Sequence, residues 1–139
     1  MLETHVLRIS DKIHLRFYQR LFSIIKEREG SLTAMEVFAV EVIHALGKPT
    51  ISEFADFIGI SRPGASYKVA SLIQKGYVVK EISEGDRREF RLVLTDKYYS
   101  YISLYEESLK QSVRRMEEQF SEEQLKAISA ALAQLEEKI

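Results

Sequence analysis

Eight of the chain's twenty lysines and arginines fall between residues 60 and 97, against five acids, so this stretch carries +3 in a protein of formal net charge −1. The flanking segments 1–59 and 98–139 sum to −1 and −3. A cationic segment in a neutral chain suits an anionic partner. Its residue types sharpen that reading. Arg62 and Lys68 can meet phosphates, and Ser61, Ser66, Tyr67 and Gln74 offer hydroxyls and an amide that reach base edges or phosphates. Asp86-Arg87-Arg88, with Arg91 close behind, puts guanidinium groups on what reads as a turn. Such a group can enter an A·T-rich minor groove, where the potential is most negative, while Asp86 holds one Arg in its rotamer.

Other chemistry has little to stand on. His5, His14 and His44 are scattered, and no Gly-rich phosphate loop or nucleophile elbow occurs, so no catalytic set and no cofactor site are expected. Cysteine is absent, which excludes disulfides and thiolate metal sites. Glu41 with His44 at i+3, or His14, could contribute to a zinc site, but no cluster with ligand spacing occurs. Residues 1–15 carry Glu3, Arg8, Asp11 and Lys12, unlike a secretory leader, and no apolar run approaches the ~20 residues of a membrane span; the expected compartment is the cytoplasm.

The elements that must position these groups are mostly helical. Apolar spacing predicts helices over 4–29, 34–46, 51–58, 62–75, 96–120 and 122–138. Gly30, Gly47, Gly59 and Gly76 stand where left-handed C-terminal residues belong. Thr33 with Glu36, Thr50 with Glu53 and Ser121 with Gln124 have capping-box spacing, and Ser61 and Thr95 are simple N-cap candidates. Residues 77–82 and 90–94 alternate as strands around the turn Ser83–Asp86, giving one hairpin in a helical chain.

Residues 51–73 read as a helix-turn-helix. Ile51, Phe54, Ala55 and Ile58 stripe the first helix, Gly59 turns, Ile60 plugs the core, and Ala65, Val69, Leu72 and Ile73 stripe the second. At 100° per residue Pro63, Tyr67, Ala70 and Gln74 then point outward, flanked by Gly64, Ser66 and Ser71. This outer face is small apart from Tyr67 and Gln74, and suits insertion into a major groove. The following hairpin makes the unit winged. The terminal helices carry long apolar stripes: Val6, Ile9, Ile13, Phe17, Leu21 and Ile24; Ile102, Tyr105, Leu109, Val113, Met116 and Phe120; Leu125, Ile128, Leu132, Leu135 and Ile139. A second copy is the economical partner for them.

The stretch "ISEFADFIGISRPGASYKVASLIQKGYVVK", followed by "DRREFRLVLT", resembles the MarR family. The shared features are a helix-turn-helix, "KG" closing the recognition helix, an Asp-x-Arg wing and "LT" entering a long fifth helix. The resemblance implies one domain over 1–139: dimerisation helices at 1–30 and 96–139 and a winged helix-turn-helix over 31–95. It implies a homodimeric, ligand-responsive repressor on an inverted-repeat operator. Asp86 and Arg88 take the Asp-x-Arg positions, with Arg88 in the minor groove, and Ser61, Arg62, Ser66 and Tyr67 match recognition-helix positions. Tyr67 replaces an Arg common in relatives, and Pro63-Gly64 is less usual, so operator sequence does not carry over. A small anionic or aromatic effector would sit near His14, Arg16, Tyr18 and Tyr98. The alternatives are a zinc-responsive regulator and a winged-helix protein-interaction module that does not bind DNA.

Overall fold

A computed structural model of the chain describes residues 1–24, 31–82, 85 and 89–139. Among these, six helices and one antiparallel hairpin follow in the order α1 (Leu2–Ile24), α2 (Ala34–Leu46), α3 (Ile51–Ile58), α4 (Arg62–Gln74), β1 (Val78–Ile82), β2 (Phe90–Leu94), α5 (Asp96–Glu117) and α6 (Glu122–Glu136). None of these helices is long and apolar enough to cross a membrane. The chain divides into two compact units, residues 1–101 and 102–139.

Local chemistry sets the helix ends. Thr33 and Glu36 close a reciprocal capping box on α2, and Ser121 and Gln124 do the same on α6. Thr50 caps α3 by accepting from the Glu53 amide at 3.1 Å, but the reciprocal half is absent. The Glu53 carboxylate instead stands 4.0 Å from the Arg91 guanidinium, so an ion-pair partner across the fold displaces the expected box. Thr95 also departs from expectation: its hydroxyl donates to the Gly76 carbonyl at 2.6 Å, fastening the end of the hairpin to the end of α4. Gly47, Gly59 and Gly76 have φ of 64°, 70° and 82°, as their places after helices require; Gly30 lies outside the described residues.

The core of the first unit is built from α2, α3, α4 and the hairpin. Val37, Val40, Ile43, Phe54, Ala65, Val69, Leu72, Val78 and Leu92 are all buried. The hairpin pairs Val78 with Leu94, Lys80 with Leu92 and Ile82 with Phe90. Residues 49–50 lie along β2 as well: the Leu92 amide donates to the Pro49 carbonyl at 2.8 Å, and Thr50 bridges Arg91. In the second unit, surface ion pairs Lys110–Glu107 at 3.5 Å and Lys126–Glu122 at 2.9 Å line the helices and contribute little stability.

One polar cluster ties α4 to α2. The Glu36 carboxylate accepts from the Lys75 ammonium at 2.7 Å, from the Ser71 hydroxyl at 2.6 Å and from the Thr33 amide at 2.7 Å. Lys75 also donates to the Ser31 carbonyl at 2.9 Å. Partial burial pushes the Glu36 carboxyl up, but these donors outweigh it and hold the group at about 2, below its ordinary 4.5. A depressed folded pKa stabilises the fold above the unfolded value and loses that contribution as pH falls through the folded value. The loss should therefore run from pH 4.5 down to about 2. After screening at this partly exposed site it amounts to roughly 2 kcal/mol. Urea unfolding across that range should show the parent's stability falling more steeply than that of Glu36→Gln. Parallel curves would show that the cluster contributes nothing.

Candidate DNA interface

Helix α4 begins at a serine cap. Ser61 accepts from the Gly64 amide at 3.2 Å, and Pro63 sits in the first turn, where a missing N–H costs nothing. A Cβ on Gly64 would stand 3.1 Å from the Ser61 Oγ, so glycine is what lets the cap sit tight against the turn. The preceding turn is closed by the Ile60 amide donating to the Ala55 carbonyl at 3.1 Å. The buried stripe of Ala65, Val69 and Leu72 then fixes the rotation of the helix about its axis.

That rotation exposes Arg62, Pro63, Ser66, Tyr67, Ala70 and Gln74, with the Tyr67 side chain 82% accessible. Gly64 and Lys68 are half-buried at the flanks. Ser71 is not part of the open face, because its hydroxyl is spent on Glu36. The exposed strip is small-residued except at its middle and its end, which allows close approach to a concave partner while Tyr67 and Gln74 reach farther.

Asp86, Arg87 and Arg88 lie outside the described residues. Arg91 is described, and it turns toward the body of the fold. Its guanidinium donates to the Lys48 carbonyl at 3.0 Å and stands 4.0 Å from Glu53. This clamps β2 to the loop before α3, and Lys48 itself has a positive φ of 52°. The sequence offers no warning of this engagement, since Arg91 and Lys48 are 43 positions apart.

Residues 31–89, the α2-to-wing segment, match the sequence model of the MarR family. Over this segment the chain is similar to the MarR family. Curated proteins give no match to it. Among solved structures, the chain is similar to a MarR-like transcriptional regulator from Thermotoga maritima, with 28% identity, 95% of this chain and 94% of that one covered, and a TM-score of 0.56. A MarR family protein from Bacillus stearothermophilus shares the fold at 18% identity, covering 99% and 91%, with a TM-score of 0.63. FabT from Streptococcus pneumoniae, solved in complex with DNA, shares it at 23% identity, covering 95% of each chain, with a TM-score of 0.54.

Elsewhere in the first unit, α1, α2 and the start of α5 meet at polar groups. Arg20 forms an ion pair with Glu41, and the Tyr98 hydroxyl lies 3.4 Å from the same carboxylate. Tyr98 is 3% exposed, with its ring 5.6 Å from that of His44. Burial, and then the Glu41 charge, push its hydroxyl well above the ordinary phenol range, so it stays protonated. His14, Arg16 and Tyr18 are exposed on α1, where His14 and Tyr18 stack at 6.5 Å. An open cavity of about 260 Å³ is lined by Ile43, His44, Lys48, Leu92, Leu94 and Tyr99.

Proposed function

We propose that the chain is a sequence-specific transcription regulator that binds duplex DNA as a homodimer, with α4 in the major groove and the Asp86–Arg88 wing tip in the adjacent minor groove. The observation that carries this reading is the outer face of α4: an exposed strip of small residues with Tyr67 projecting from its middle. A surface helix without a partner would carry Lys and Glu there. The cationic segment 60–97 supports the same reading, as does the DNA complex of the FabT relative. Ser61, Arg62, Ser66, Lys68 and Gln74 are the remaining candidate contacts on α4. Ile9 and Ile13 of α1, Leu109, Val113 and Met116 of α5 and Leu132 of α6, exposed in the chain taken alone, support a second copy as the partner.

The similarity to the MarR family further supports a repressor whose operator affinity falls when a small anionic or aromatic effector binds. Of the side chains proposed for that pocket, Tyr98 is buried, whereas the cavity lined by His44 and Tyr99 is open.

Selection of random duplexes on the purified protein tests the reading. The recovered sites should be inverted repeats of ~16–20 base pairs, with half-sites about one helical turn apart, as a twofold dimer of recognition helices requires. Affinity should fall steeply between low and moderate salt as counterions are released. Recovery of unrelated sequences, or an affinity indifferent to salt, would overturn it.

A further inference from the structure

A second cleft, of about 320 Å³, opens between the starts of α3 and α4 and the hairpin, and Ser52, Arg62, Ser66, Lys80, Glu89 and Phe90 line it. Lys80 is the unexpected member. Strand alternation and the pairing Lys80–Leu92 put it on the same hairpin face as Val78 and Leu92, both fully buried. At Lys80 that face has opened to solvent, and Ile82 and Phe90 beside it are exposed too. The lysine ammonium lies 5.8 Å over the Phe90 ring, and the residue lines the cleft. Arg62, the first residue of α4, lines the same cleft.

Among the described residues, the ion pairs involve neither cation. Two like charges lining one cleft repel each other, and an anion between them reverses that cost. Ser52 and Ser66 add hydroxyl donors, and the Thr50 and Ser61 hydroxyl oxygens nearby accept from helix amides as caps. The place of the cleft identifies the anion. A duplex with α4 in its major groove and the wing in the neighbouring minor groove must pass the strand between those grooves across the gap separating α4 from the hairpin. A backbone phosphate is the group such a strand presents there.

We propose that this cleft seats one backbone phosphate of the bound DNA, gripped between Lys80 and Arg62, with Ser52 and Ser66 as neutral donors. The inference rests on the DNA-binding reading above and adds Lys80 and Ser52 to the interface. Glu89, at the rim, opposes the phosphate and limits its affinity. Because the contact reads no base, its contribution is independent of sequence.

Fluorescence anisotropy with the full chain, on a selected duplex and on an unrelated one, tests this over a range of salt. Lys80→Gln should weaken binding to both duplexes by about 5–10-fold at ~0.1 M salt, and should lower the slope of log K against log salt by about 0.9. Arg62→Gln should do the same. The double variant should lose clearly less than the product of the two single losses, because both cations hold one phosphate. Glu89→Gln should bind more tightly than the parent. Thermal melts should show all variants folded as the parent is.

Three results would overturn the proposal: an unchanged salt slope in Lys80→Gln, a loss confined to the selected duplex, or fully multiplicative losses in the double variant. A parent that binds no duplex DNA would bring down the DNA-binding reading itself. A parent that binds, with Lys80→Gln binding equally well, would remove only the phosphate cleft.

Discussion

Leu109→Asp and Leu132→Asp should each convert the protein to a monomer and reduce operator binding by at least about 100-fold. Leu109 is 38% and Leu132 58% exposed in the chain taken alone, and neither has a place in a protomer core. Along α5 and the turn after it, Leu109, Val113, Met116 and Phe120 follow one another at spacings of four, three and four, and all four are exposed large hydrophobics. No residue of α6 is buried, although Leu125, Ile128, Leu132 and Leu135 form its stripe. On α1, Leu7, Ile9 and Ile13 are exposed in the same way. Apolar stripes of this length call for a covering partner, and a carboxylate placed in the seam must be desolvated on both copies of a twofold interface. Monomeric half-sites then lose the gain of tethered double engagement, typically 10²–10⁴-fold. Light scattering and anisotropy on the same samples decide the matter. A parent that is monomeric at micromolar concentration would refute the prediction, as would a Leu109→Asp protein that remains dimeric with undiminished affinity.

The second large effect concerns the core beneath α4. Phe54→Ala should cost about 3–5 kcal/mol, because it deletes a ring from a fully packed site. Phe54 is 0% exposed, on the α3 face that meets α4. Against a typical total of about 5–15 kcal/mol, that leaves a marginal fold whose helix-turn-helix no longer holds its angle. Tyr67→Ala is the informative contrast. Tyr67 stands on the opposite side of the same unit and is almost wholly exposed, so its removal should change stability by less than about 0.5 kcal/mol while weakening DNA binding. Urea titrations give the first quantity and anisotropy the second. If Tyr67→Ala unfolded the protein, or left DNA affinity unchanged, the division between packing and recognition faces of α4 would be wrong.

Much of this architecture was legible from the residues because its causes are local. Ser-x-x-Gln and Thr-x-x-Glu before apolar runs mark starts, and left-handed glycines mark stops. The 3.6-residue spacing of Ala65, Val69 and Leu72 sets which way α4 faces. The helix-turn-helix, the hairpin and the family all follow from signals within a few residues of one another. The outer strip of α4 is where the periodicity expects it, at Pro63, Tyr67, Ala70 and Gln74. Where the reading went astray, a distant partner intervened. Glu53 left its capping box for Arg91, Thr95 turned to Gly76, and Ser71 turned inward to Glu36, 35 positions away.

Sequence alone therefore determined the order of elements, the helix ends, the winged helix-turn-helix and the side of α4 left open. These depend on hydrogen bonds and apolar contacts within one or two turns of chain, whose geometry is the same in any fold. Tertiary structure decided which charges are free for a partner. Arg91, still partly exposed, also anchors its guanidinium on the Lys48 carbonyl, 43 positions away. Lys80 looked like an ordinary strand lysine until its register with Leu92 turned it toward a cleft shared with Arg62. An exposed charge keeps its value for recognition only where no neighbour has already claimed it, and those neighbours are brought together by the packing of α2, α3, α4 and the hairpin.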